Sequence, residues 1–114
     1  MIDVSPERFE ELVADALDSI PPALGELMDN VWVQVENRSR PELLGLYEGV
    51  PLTARDAGYS GMVMPDRITI FRRTICAICS TEDEVVAQVL ETVVHEVAHH
   101  FGIDDERLEE LGWA

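Results

Sequence analysis

With 114 residues and a mass of 12.8 kDa, the chain has the length of a single domain spanning residues 1–114. Apolar residues at 46% and charged residues at 27% exclude a disordered chain. Eight basic residues against 23 acidic ones leave a net charge of −15, which excludes nucleic acid and an anionic membrane surface as expected partners. All eight basic residues are arginine, so Schiff-base lysine chemistry and a lysine-bearing phosphate loop are ruled out. No apolar run is long enough to span a bilayer, and Met1–Glu7 lacks a basic region followed by an apolar one. The expected location is therefore the cytoplasm, and oligomeric state is left open.

Ser5-Pro6-Glu7 combines an N-cap, a proline at the first helical position and an acid in the first turn. Phe9, Leu12, Val13, Ala16, Leu17 and Ile20 then recur at helical spacing, which predicts a helix over 6–19. Pro21-Pro22 breaks it, and a short helical turn follows over 24–28. Val31–Glu36 alternates with β-branched residues and predicts a strand. A polar turn follows over 37–41. Leu44–Gly49 predicts a weaker strand, and 56–61 a loop. Arg67–Arg72 alternates again and predicts a third strand, entered through Pro65-Asp66. Thr81–Glu84 is a Thr-x-x-Glu capping box, followed by one long helix over 85–101 that Gly102 closes. Asp104 stands as the cap of a short last helix, stopped by Gly112. The order predicts an α+β fold, a small sheet of three or four strands with helices packed on one side.

His95-Glu96-Val97-Ala98-His99 lies within the long helix. A helix advances about 100° per residue, so His99 falls near 40° from His95, with Gln88 and Thr92 on the same polar side. Val86, Leu90, Val93, Val97 and Phe101 fall at about 160–240° and predict an apolar stripe opposite. Residues four apart on a helix are neighbours, so His95 and His99 can converge on one zinc ion. Glu96 is one step round the helix. It is placed poorly for ligation but well for taking a proton from a water at the metal, as a general base in hydrolysis does.

A catalytic zinc needs a third protein ligand. Gly102 can adopt a positive φ and swing the following residues back under the metal. Asp105 ends the run His-Glu-x-x-His-x-x-Gly-x-x-Asp and is the expected third ligand, with Asp104, Glu106 and Glu109 as competitors.

The stretch His95–Leu108, together with Pro65–Phe71 and Tyr47–Leu52, resembles the minimal zincin-like metallopeptidases of actinobacteria. The resemblance covers roughly residues 40 to 112. It implies a compact zincin-like α+β fold, zinc held by His95, His99 and Asp105, Glu96 as general base, and a peptide or protein as substrate. The chain departs from the wider metzincins in having no methionine among the nine residues after Asp105. Met62 or Met64 would have to supply any methionine floor from upstream.

Other signals read as structural. His100 falls near 140° on the wheel and reads as a packed residue or one supporting the ligands. Cys76-Ala77-Ile78-Cys79 has redox spacing but an apolar setting, which favours two buried thiols. Trp32, Tyr47 and Trp113 read as core or half-buried packing. Tyr47, Tyr59 and the arginines stand as undivided candidates for oxyanion stabilisation. The strand leading into Arg72-Arg73 reads as a possible edge for an extended peptide.

The first function class is thus a zinc-dependent peptidase or amidase, and the second a metal-binding protein acting through a partner. A peptide deformylase would need a cysteine ligand in a Glu-Gly-Cys-type segment, a context that Cys76–Cys79 lacks. A metal-dependent ribonuclease would need a basic phosphate-binding surface, against which the charge counts.

Overall fold

A computed structural model of the chain describes residues 1–38, 42–49 and 65–113. The loop read at 56–61, most of the turn at 37–41, and Tyr59, Met62 and Met64 lie outside them. The described elements run α1 (Pro6–Leu17), α2 (Pro22–Leu27), β1 (Val31–Glu36), β2 (Gly45–Glu48), β3 (Asp66–Phe71), α3 (Arg72–Ile78), α4 (Glu82–His100) and α5 (Asp105–Leu111).

The Ser5 cap forms as its sequence context predicts, its Oγ accepting from the Arg8 backbone N–H at 3.1 Å. Phe9, Leu12, Val13 and Ala16 are buried on one face of α1. The helix ends at Leu17 rather than Ser19, and Asp18-Ser19 continue only as a turn.

Among the described residues the sheet has three strands, in the order β1-β3-β2. β1 runs parallel to β3, with Val33 opposite Ile68 and Val35 opposite Ile70. β2 runs antiparallel, with Gly45 opposite Ile70 and Tyr47 opposite Ile68. β3 is therefore the central strand, and the expectation that the strand before Arg72-Arg73 forms an edge is corrected. Its two central isoleucines, Ile68 and Ile70, explain the placement, because both are fully buried. The other face of the sheet is more polar: Gln34 donates to Thr69 at 2.9 Å and Arg67 pairs with Glu48 at 3.1 Å. Trp32 shares that face and is 67% exposed, so it is not a core residue.

α3 is a helix where the sequence suggested only the end of a strand. It follows β3 without a break, and Phe71 at its N-cap gives no side-chain hydrogen bond. Contacts from elsewhere hold it: Ile2 N–H donates to Cys76 O at 3.0 Å, and Arg72 Nη1 donates to Val4 O at 2.7 Å. Cys76 and Cys79 are buried free thiols, as their apolar setting predicts, and burial pushes both thiols' pKa up.

α4 is the spine against which α1, α2, α3, β2 and β3 pack. Thr81 Oγ1 accepts from Glu84 N–H at 3.1 Å, and the Glu84 carboxylate reaches one residue past the N-cap, its Oε2 accepting from Ser80 N–H at 2.8 Å. Val85, Val89, Val93, Val94, Val97 and Ala98 are buried along it. The buried face does not coincide with the predicted stripe: Val93 and Val97 lie in it, but Val86 and Leu90 are only half-buried. It takes in Thr92, which the wheel put with the polar residues, and leaves Phe101 43% exposed. Thr92 is covered because β2 crosses α4 at Gly45, where a Cβ would stand 2.6 Å from Thr92 Cγ2. Its hydroxyl stays satisfied by donating to Gln88 O at 2.8 Å. The architecture is α+β, with a small mixed sheet and five helices among the described residues, as the element order predicts.

Candidate metal site

His95 and His99 lie one turn apart near the C-terminal end of α4, with ring centroids 4.1 Å apart. The chain then reverses through a two-bond turn. Gly102 N–H donates to His99 O at 3.1 Å, and Ile103 N–H donates to Ala98 O at 2.8 Å. This is the Schellman pattern, and it requires the left-handed conformation that Gly102 adopts at φ +78. Asp104 comes next and caps α5, its Oδ1 accepting from Arg107 N–H at 2.9 Å. Asp105, the first residue of α5, is thereby turned back toward α4.

The result is a cluster of three donor atoms. Asp105 Oδ1 stands 3.1 Å from His99 Nε2 and 3.6 Å from His95 Nδ1. One ligand atom from each residue lies within 4.8 Å of the others. Ligand atoms bound to one tetrahedral zinc at about 2.0–2.2 Å stand about 3.3 Å apart, so these separations fit a small divalent ion. Two neutral imidazoles and one carboxylate are also a donor set that zinc accepts. Of the competitors, Asp104 is committed to its cap, and Glu106 and Glu109 are not in the cluster.

Glu96 does not join the cluster. It is half-buried and lines a cleft of about 400 Å³ whose other walls include Leu43, Leu44, Gly45, Gln88 and His95. One wall is thus the start of β2 and the other is α4. The β2 wall carries no local sequence signal, because it depends on the crossing at Gly45.

His100 packs as a supporting residue. Its ring stacks on Tyr47 with centroids 3.9 Å apart and planes 19° apart. Tyr47 Oη donates to Asp66 Oδ2 at 2.8 Å, and His100 Nε2 lies 3.8 Å from the same oxygen. Gly49 lets the backbone approach this ring, since a Cβ there would stand 3.1 Å from His100 Cε1. The group ties β2 and β3 to the end of the histidine helix. Asp66, read from the sequence only as a strand entry, is its anchor. Tyr47 is engaged here, and Arg8, Arg67 and Arg107 are engaged by Glu82, Glu48 and Glu110. Each of these four side chains, all named as oxyanion candidates from the sequence, thus meets a carboxylate partner.

Among the described residues, no helix is long and apolar enough to cross a membrane. No curated protein matches the chain. A conserved hypothetical protein from Thermus thermophilus has a similar structure, with a TM-score of 0.59 and 24% identity over 95% of this chain and 97% of that one. That likeness extends to the fold. The family model described as zincin-like metallopeptidase matches residues 24–113, a span that takes in the whole sheet and the His-His-Asp cluster, and the chain belongs to that family.

Proposed function

We propose that this protein is a zinc-dependent peptidase, a single-domain minimal member of its family of the kind found in actinobacteria. The observation that carries the reading is the convergence of His95, His99 and Asp105 beside a cleft lined by Glu96. His95, His99 and Asp105 would hold the ion. When bound, zinc polarises a carbonyl and makes water more acidic.

The chain's own groups do the rest. Among the described residues the outer edge of β2 is unpaired, so a peptide can lie extended between it and α4. The Glu96 carboxylate, beside His95 in the cleft, takes a proton from the attacking water and hands it to the leaving nitrogen. The Tyr47–His100 stack and Asp66 hold the strand and the helix at a fixed separation while this occurs. A cytoplasmic setting and a peptide or protein substrate belong to the same reading.

The test screens a capped peptide library against zinc-loaded wild type and Glu96→Gln in parallel, with a chelator control. Cleavage by wild type that is lost in the variant and with chelator supports the peptidase. Tight zinc binding with no cleavage of any peptide supports instead a metal-binding protein that acts through a partner.

A further inference from the structure

His95 lines two clefts, and a backbone lying along β2 occupies only the first. The second opens between α4 and α5, measures about 270 Å³ and has His95 and Asp105 in its wall. Whatever fills it lies against the metal cluster. Its remaining lining is Glu91, Val94, Leu108, Glu109 and Trp113.

Two local features build it. Glu91 precedes His95 by one helical turn and so shares the histidine face of α4. At the end of α5, Gly112 takes φ +76 and Trp113 N–H donates to Leu108 O at 2.9 Å, which folds the indole back over the helix. Val94 and Leu108 are buried and Trp113 is half-buried, so the floor is apolar and aromatic.

The rim is different. Glu91 and Glu109 are exposed, and among the described residues no arginine lines the cleft. Among the described residues neither carboxylate has a hydrogen bond or an ion pair. Arg107, the nearest arginine in sequence to Glu109, is engaged by Glu110 at 2.9 Å.

The size selects a small occupant. Pockets for whole small ligands run from about 300 Å³ upward, so this one suits a single side chain. Its apolar floor matches a chain of methylenes, its indole favours a cation, and its rim carries two negative charges. An acidic side chain would meet repulsion there. The net charge of −15 draws cationic peptides toward the surface in the same sense.

Resting on the peptidase reading, we infer that the cleft between α4 and α5 is a subsite for one arginine or lysine side chain of the peptide substrate, seated beside the metal cluster.

The test reads Trp113 fluorescence in a Trp32→Phe, Glu96→Gln background, where Trp113 is the sole tryptophan and turnover is blocked. The probes are capped pentapeptides of alanine with arginine, norleucine or glutamate at the centre, titrated into zinc-loaded protein. The arginine peptide should bind about tenfold more tightly than the norleucine peptide, with glutamate weakest. The preference should shrink with rising salt and vanish in Glu91→Gln/Glu109→Gln, whose exposed positions leave the core intact. Equal binding of arginine and norleucine, no Trp113 response, or a preference that survives the double substitution would overturn the subsite. Turnover of the same peptides by the Trp32→Phe protein separates the two claims. Cleavage without an arginine preference overturns the subsite alone. Arginine-selective binding without any cleavage supports the basic subsite and overturns the peptidase reading.

Discussion

Asp105 Oδ1 stands 3.1 Å from His99 Nε2, although the two residues belong to different helices. The juxtaposition depends on a backbone reversal and not on helical spacing. Gly102 supplies the left-handed residue, Asp104 restarts the helix, and Asp105 is delivered under the histidines.

Gly102→Ala should therefore act on both stability and metal binding. Alanine in the left-handed region costs about 1–2 kcal/mol. Nothing lies within 4 Å of the position an added Cβ would take, so the cost is conformational and not steric. Thermal unfolding should show the lowered stability, and a zinc titration should show weaker affinity because Asp105 is displaced.

Asp104 and Asp105 should separate cleanly. Asp104→Ala removes the α5 cap and should cost about 0.5–2 kcal/mol, with zinc affinity reduced far less than by Asp105→Ala. Asp105→Ala removes a donor and should weaken zinc binding sharply with little loss of stability. Denaturant unfolding and zinc competition on the two variants check this, and the reverse pattern would exchange their roles.

Much of this was legible in the chain itself. The Ser5 and Thr81 caps, the alternation in β1 and β3, and the four-residue histidine spacing are local patterns, and local patterns survive into the fold. α3 was not legible. It is two turns long, follows β3 directly, and is held by the N-terminal stretch 68 to 74 residues away, through Val4 and Ile2. The central position of β3 was equally hidden, since strand order is set by pairing between distant segments. At the site, the ligand candidates could be named from spacing. The clefts could not, because Gly45 and Trp113 enter them only through tertiary packing and a turn.

The crossing of β2 over α4 can be tested at its tightest point. Gly45→Ala places a methyl 2.6 Å from Thr92 Cγ2 and 3.2 Å from Thr69 O, and should destabilise by about 1–3 kcal/mol. Adding Thr92→Ser removes the first clash and should restore part of the loss. Unfolding of the two single variants and the double variant measures that coupling.

Buried Cys76 and Cys79 give a signed pH dependence. Burial is the main cause of the raised pKa of each, so the folded state favours the neutral thiols. Their contribution is fully present below the pKa of an unfolded thiol and is lost as pH rises through the folded values. Stability should fall on the alkaline side, and less so in Cys76→Ala/Cys79→Ala once its own neutral-pH loss is subtracted. Unfolding across the alkaline range checks the sign.

His95, His99 and Asp105 together are expected to hold one zinc ion. The most direct measurement is a zinc titration of metal-free protein against a chromophoric chelator, for wild type and for His95→Ala, His99→Ala and Asp105→Ala. Wild type should show one tight site per chain, lost in each histidine variant and severely weakened in Asp105→Ala, with all variants folded by circular dichroism. Tight one-to-one zinc binding that persists in the His95→Ala/His99→Ala double variant would contradict this expectation.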